Sequence, residues 1–346
     1  MKLSSKLLLA ATAVAAVAVP AQAQMRRNIR IVGSSTVYPF TTTVAEHFSR
    51  ANKGVPTPIV ESTGTGAGAK LFCGGVGAQH PDILDASRRL KLKEFQLCAA
   101  NGVTQITEIQ VGLDGVSLAQ SLSGQLKGVN AKDIYNAIAK EPFGKPNRAK
   151  TWKDVNPSLP AVPIRVYGPP TTSGTRSSVE DLLMEPVCMT NPSVAALKKT
   201  NEARYNQICK GIREDGAYIN AGENDNLIVQ KLEGDSSAVG IFGYSYIEEN
   251  ASRLRGVAIN GVTPSYDSIS SFKYPGARAL YIYVKNAHLQ AIPGIRQFTA
   301  EYVKDATFGP KGYLMQRGLI ASPDAARLRA ARLATSMTPM NVAGLK

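Results

Sequence analysis

Histidine and tryptophan are scarce in this chain, at three and one among 346 residues. His47, His80 and His288 lie far apart in sequence, without the short spacing that brings two imidazoles to one metal ion. Each reads as a surface or satisfied core residue. The four cysteines include no C-x-x-C pair, so a zinc or redox motif has no support. A G-x-S-x-G nucleophile elbow is also missing, since Gly243-Tyr244-Ser245-Tyr246-Ile247 lacks the closing glycine. The stretch Gly64 to Lys70 imitates a P-loop, but Ala69 separates Gly68 from Lys70 and Leu71 stands where Mg²⁺ needs a hydroxyl. These absences argue against nucleotide hydrolysis and against the common hydrolase sites. No basic run is interleaved with aromatic residues, so nucleic acid is a poor reading of the charge. Forty Lys and Arg against 26 Asp and Glu give a formal +14. A field that steers a small anion inward fits that excess better.

Long apolar runs are missing too, except at the start. Residues 1–23 read as a secretory signal, with Lys2 and Lys6, an apolar run from Leu7 to Val19, and Ala21-Gln22-Ala23 before Gln24. That run is short for a membrane span. No cysteine follows the expected cleavage after Ala23, which points to a soluble periplasmic protein without a lipid anchor. Removal of these 23 of 346 residues leaves 323, enough for two domains, and takes the formal charge to +12.

What the chain does have is a series of hydroxyl-rich turns between strands and helices. The strand-like Ile164-Arg165-Val166-Tyr167 leads through Gly168-Pro169-Pro170 into Thr171-Thr172-Ser173-Gly174-Thr175-Arg176. A helical pattern follows, with Val179, Leu182 and Leu183 apolar and Glu180 and Asp181 facing away. A turn there exposes the unpaired N–H groups of a helix start. Gly174 permits close backbone approach, Ser173 and Thr175 offer hydroxyls, and Arg176 offers a guanidinium fork. An ordinary Ser/Thr cap beside a solvated arginine is the bland alternative. Three more segments repeat the arrangement. Ile29 to Val32 runs into Gly33-Ser34-Ser35-Thr36 and a helix with Val37, Phe40, Val44 and Phe48 on one face. Pro58-Ile59-Val60 precedes Thr63 to Lys70, and Asp82-Ile83-Leu84 precedes Asp85-Ala86-Ser87-Arg88-Arg89. Together they suggest a tetrahedral oxyanion held from several sides.

These segments, with Val239 to Tyr244, resemble in order and spacing the phosphate-binding proteins of high-affinity phosphate ABC importers, the PstS type. The resemblance covers nearly all of the chain beyond residue 23. It implies an α/β, two-lobed periplasmic-binding-protein type II fold, each lobe a mixed sheet flanked by helices, with the ligand in the interlobe cleft. Residues 24–108 and 279–346 would form one lobe and 109–278 the other. Phosphate would be held by Ser35, Thr36, Thr65, Ser173, Gly174 and Thr175, with Arg88 and Arg176 supplying charge and Ser34, Val37, Gly66 and Ser87 in supporting contact. The partner would be a membrane ABC permease; neither cofactor, metal nor nucleic acid is implied, and a monomer is expected. A phosphate-ester hydrolase, or a binding protein for sulfate or molybdate, is the alternative. Of three possible disulfide pairings, Cys73–Cys98 and Cys188–Cys209 are favoured, because each is close in sequence and stays within one lobe.

The sequence departs from the family at one telling position. In its best-known members a carboxylate follows the serine of the fourth segment and accepts the proton that phosphate retains. Here Arg88 follows Ser87, and Glu61 and Asp85 are the nearest carboxylates in sequence. The long stretch from Glu141 to Pro163 reads as a loop carrying Trp152, and Ala325 to Ala334 as a surface helix.

Overall fold

The computed structural model describes residues 26–345; the expected signal segment lies outside them. In the first half of the chain β1 (Arg30–Gly33), α1 (Tyr38–Ala51), β2 (Ile59–Ser62), α2 (Thr65–Phe72), β3 (Ile83–Ala86) and α3 (Leu92–Ala100) lead into β4 (Ile106–Ser121). Then come β5 (Gly128–Val129), α4 (Ala131–Ile138), α5 (Trp152–Val155), β6 (Val166–Gly168), α6 (Gly174–Ser178), α7 (Glu185–Cys188), α8 (Pro192–Thr200), α9 (Glu202–Lys210) and β7 (Tyr218–Asn220). The chain continues through α10 (Asp225–Gly234), β8 (Val239–Gly243), α11 (Tyr244–Glu249), β9 (Leu254–Gly256), β10 (Ala258–Ile259) and α12 (Tyr266–Ser270). It ends in β11 (Ala277–Lys285), α13 (Ile295–Tyr302), α14 (Asp305–Phe308) and α15 (Asp324–Ser336).

The main sheet runs β2-β1-β3-β11-β4-β8-β6-β7, with β9 on β4. Strands β1, β2 and β3 are mutually parallel, as are β6, β7 and β8, whereas β11 and β4 pair antiparallel with their neighbours. This is a two-lobed α/β architecture. β4, 16 residues long, serves both halves of the sheet: its first part pairs with β11 and its last part with β8 and β9. Apolar cores lie on either side of it. One gathers Val37, Phe40, Val44 and Phe48 of the first helical face with Phe298 and Tyr302 of α13. The other packs Tyr135, Trp152, Val166, Leu183 and Phe242.

Two segments differ from their sequence pattern. The stretch read as a long loop contains α5, and Trp152 is fully buried there. Thr151 caps that turn, and the Trp152 amide donates to Val162 O at 3.0 Å, so the segment is pinned at both ends. The helical pattern after Ser173 gives only five residues of α-helix before the chain widens into a π-helical turn over Val179–Met184. Disulfides join Cys73 to Cys98 and Cys188 to Cys209. Each closes a short loop, so each stabilises locally by constraining the unfolded chain.

Candidate functional site

In open α/β sheets a ligand crevice forms beyond the carboxyl ends of parallel strands, where the strand order reverses. The ends of β1, β3 and β6 deliver their loops to such a place. The first loop is fixed by the Ser34 amide, which donates to Asp85 O at 2.9 Å. Gly33 makes this possible: its φ is +137°, and a Cβ there would sit 2.1 Å from Asp85 O. The Ser34 hydroxyl accepts from the Val37 amide at 3.4 Å, and Val37 is buried as part of the apolar wall.

The hydroxyls of several loops meet. Thr36 Oγ1 and Thr175 Oγ1 are 3.0 Å apart, and both residues are buried. Thr65 Oγ1 lies 3.3 Å from Ser87 Oγ and accepts from the Ser87 amide at 3.2 Å. Gly174 presses against this second pair, since a Cβ on it would lie 2.3 Å from both oxygens. The Gly66 amide donates to Thr172 O at 3.0 Å, a backbone bond between the turn after β2 and the one after β6. Ser173 uses its hydroxyl as a cap, accepting from the Thr175 and Arg176 amides at 3.1 and 3.4 Å. Ser35 borders a cavity of about 640 Å³ with Tyr38, Ser62, Glu223 and Tyr246, and Tyr246 donates its hydroxyl to Ser35 O at 3.4 Å.

The charge at this centre comes from a residue the sequence did not single out. Arg278 of β11 stands opposite Asp114 of β4 in the strand register. Its Nε and Nη2 donate to Asp114 Oδ2 at 3.0 and 2.8 Å. Nη2 also reaches Thr36 Oγ1 and Thr175 Oγ1, each at 3.0 Å, while Nη1 reaches Ser178 Oγ at 3.0 Å and Gly174 O at 3.3 Å. Burial pushes the Asp114 carboxyl up, against the opposing pull of Arg278 and the Tyr244 amide. One signal was legible. Arg278 falls on the buried alternation of its strand with Leu280 and Ile282, where a lone cation is out of place.

The two arginines marked by sequence are occupied elsewhere. Arg176 donates to Glu180 Oε1 at 2.8 Å, and its guanidinium lies over the Tyr218 ring at 4.8 Å. Arg88 grips Glu94 through two bonds of 2.9 and 2.7 Å, although it stays close enough to Gly66 to stand 3.9 Å from a Cβ placed there. Of the two carboxylates weighed as proton acceptors, Glu61 pairs with Arg30 at 3.2 Å. Asp85 is buried near Thr41 and Tyr302, where loss of solvent pushes it up to about 8. Neither has a hydrogen bond to the hydroxyl cluster.

Comparison with known proteins gives a consistent set of likenesses. A family model described as the PBP superfamily domain matches residues 18–306. Protein SphX of Synechococcus elongatus is 33% identical over 282 residues, covering 79% of this chain and 72% of that protein. The phosphate-binding protein PstS of Staphylococcus haemolyticus is 29% identical over 304 residues, with coverage of 84% and 80%. A crystal structure of a possible phosphate binding protein from Planctomyces limnophilus matches with a TM-score of 0.57 at 27% identity, covering 90% of this chain and 98% of that one. A putative phosphate ABC transporter substrate-binding protein from Clostridium perfringens, solved with bound phosphate, matches with a TM-score of 0.63 over 86% and 100% of the two chains. At 20% identity it speaks for the fold.

Proposed function

The chain belongs to the PBP superfamily, and on that premise we propose that it binds inorganic phosphate between its lobes and delivers it to a membrane ABC permease. The observation that carries this reading is the meeting of Thr36, Thr175 and Gly174 around the buried Arg278 guanidinium. Hydroxyls bonded only to one another and to a cation can exchange those bonds for the oxygens of a small anion, with no apolar body to accommodate. The names of the PstS relative and of the Planctomyces limnophilus structure support phosphate as that anion.

In this account Arg278 supplies the central charge. Ser35, Thr36, Thr65, Ser173, Gly174 and Thr175 supply N–H and O–H donors, and Ser87 joins them through its contact with Thr65. Ser34, Val37 and Gly66 shape the turns that present them. Arg88 and Arg176, tied to Glu94 and Glu180, stand beside the site as paired charges that hold its turns in place. Residues 24–108 with 279–346 form one lobe and 109–278 the other, and the crossing strands β4 and β11 act as the hinge on which they close. Hydrogen bonds to a charged group contribute a net ~1.5–3 kcal/mol each. A micromolar ligand needs only about 8 kcal/mol in all, so a few such bonds suffice after desolvation and closure.

The signal-like residues 1–23 support a periplasmic site of action, and the name of the PstS relative supports a carrier role with no chemistry on the ligand. Two assays together test the reading. Phosphate, sulfate and molybdate compete for binding on the mature protein, and a chromogenic phosphate ester is offered with and without divalent metal. Phosphate preference without ester turnover is expected. Ester turnover that follows the protein through purification would replace transport with hydrolysis.

A further inference from the structure

We propose that the segment joining α4 to α5, with its five exposed cations, is a docking surface for a bilayer that carries anionic phospholipid headgroups. It would hold the protein beside the membrane whatever anion the cleft binds.

The segment belongs to the Pro-, Lys- and Asn-rich stretch that reads as a loop in the sequence, and the proposed phosphate site uses none of it. Lys140, Lys145, Arg148, Lys150 and Lys153 all lie there, and all are exposed. Among the described residues none of the five is in a salt bridge, although their neighbours are: Arg204 takes Glu141 and Arg213 takes Asp215. The two carboxylates of the segment are already engaged. Glu141 also accepts from Gln207 Nε2 at 3.0 Å, and Asp154 accepts from the Lys150 and Thr151 amides at 2.9 and 2.8 Å. Five cations against two carboxylates leave a formal +3 over residues 140–154.

A lysine-rich loop is usually a mobile, solvated one, but the backbone of this segment is fixed. The Lys140 amide donates to Gly211 O at 2.8 Å, and Lys140 O accepts from the Asn147 amide at 3.1 Å. Asn147 Nδ2 donates to Asn136 O and Ala139 O at 2.7 and 2.8 Å, which folds Arg148 back toward the end of α4. Arg213 Nη1 reaches Ala149 O at 2.9 Å and Ala137 O at 3.2 Å. Lys150 O accepts from the Ile164 amide at 2.8 Å, and Trp152, between Lys150 and Lys153, is fully buried. Like charges held on one frame repel each other. The negative end of α4 favours Lys140, but it does not account for five. An anionic surface relieves the repulsion, and a frame ordered in advance loses little freedom on contact. The cations are exposed and spread over 14 residues, which suits an extended anionic surface and not a single enclosed ion. Each basic side chain near such a bilayer adds to the attraction. Phe143 packs edge-on against Tyr135 at 5.1 Å, so the aromatic residues of the segment serve the core and the contact is electrostatic. It should therefore be sensitive to salt. A carrier that serves a membrane permease gains by searching for it along the bilayer.

The test is sedimentation of the mature chain with vesicles of phosphatidylcholine, alone or with one quarter phosphatidylglycerol, at about 0.1 M and about 0.5 M salt. Binding to the anionic vesicles only, lost at the higher salt, is expected. Changing Lys140, Lys145, Arg148, Lys150 and Lys153 together to glutamine should weaken it at least about tenfold. Changing five exposed cations elsewhere, Lys53, Lys93, Lys311, Arg329 and Arg332, removes the same formal charge. Beyond a screening length those charges count little, so that variant should weaken binding less than about threefold. Lys145→Gln/Arg148→Gln should move in the same direction as the fivefold segment variant and remains readable if that variant does not fold. Phosphate added at constant ionic strength should leave vesicle binding unchanged, which separates a headgroup at this surface from an anion in the cleft. No binding to the anionic vesicles, equal losses in the two fivefold variants, or displacement by phosphate would overturn the proposal. Binding to polyglutamate in place of the vesicles would overturn it in favour of an acidic protein partner.

Discussion

Replacing Arg278 with methionine should separate the binding function from the fold more cleanly than any other single change. The side chain is 5% exposed and Asp114, its partner, 3%. Removing one member of such a buried pair costs ~3–5 kcal/mol of stability, because the remaining charge has no compensation. The same change removes the donor shared by Thr36 and Thr175 and the central cation of the site, at ~2–5 kcal/mol of phosphate affinity. That is a loss of roughly thirty- to several-thousandfold in Kd. Because the two effects overlap in one variant, the double variant Arg278→Met/Asp114→Leu is the informative one. Replacing a buried pair by apolar residues of similar size is often neutral for stability, so its melting temperature should return toward the parent's. Its phosphate affinity should not. Calorimetric titration and denaturant melts on both variants read the two quantities separately. A double variant that is stable and binds phosphate within about threefold of the parent would show that Arg278 is a structural brace and that the anion sits elsewhere.

Gly174→Ala places a methyl group 2.3 Å from the Thr65 and Ser87 oxygens, so it should abolish tight phosphate binding and also cost ~1–3 kcal/mol in denaturant melts by overpacking; a variant that binds normally would refute that contact. Arg176→Ala leaves the Glu180 carboxylate without its partner and the Tyr218 ring uncovered, so it should lower the melting temperature while phosphate Kd rises less than about tenfold in titration experiments. Opening Cys73–Cys98 with the double serine variant should cost ~2–4 kcal/mol in denaturant melts, with phosphate affinity kept. Glu185 is pushed up by burial, but bonds from Lys198, Tyr205 and Lys210 win and hold its carboxyl at about 2. Its contribution is therefore full above about 4.5, the ordinary value, and is lost as pH falls toward about 2. Glu185→Gln should lower the melting temperature at pH 7 and leave it near the parent's at pH 2.

The elements with strong local patterns were legible in the sequence. The apolar face Val37, Phe40, Val44, Phe48 became the buried side of α1, and Val239 to Gly243 became a fully buried strand. The hydroxyl-rich turns could be read for the same reason, since each is a local signal of a strand ending and a helix beginning. Partners set by the sheet could not. Arg278 and Asp114 are 164 residues apart and meet because β11 and β4 pair in one register. Arg176 was read as a binding cation because it follows Ser-Gly-Thr, yet Glu180, one helical turn on, takes it. Trp152 was lost in a stretch whose Pro, Lys and Asn content reads as loop, while the capped turn at Thr151 folds it into the core.

The central claim is that the cleft holds phosphate, and the direct measurement is a calorimetric titration of the mature protein after carried-over phosphate has been stripped by partial unfolding and dialysis. One phosphate per chain is expected, with a Kd in or below the micromolar range. At a ligand concentration 100 times that Kd, the unfolding free energy should rise by about 2.7 kcal/mol. Absence of heat and of stabilisation with phosphate, alongside saturable binding of another oxyanion at the same protein concentration, would contradict it.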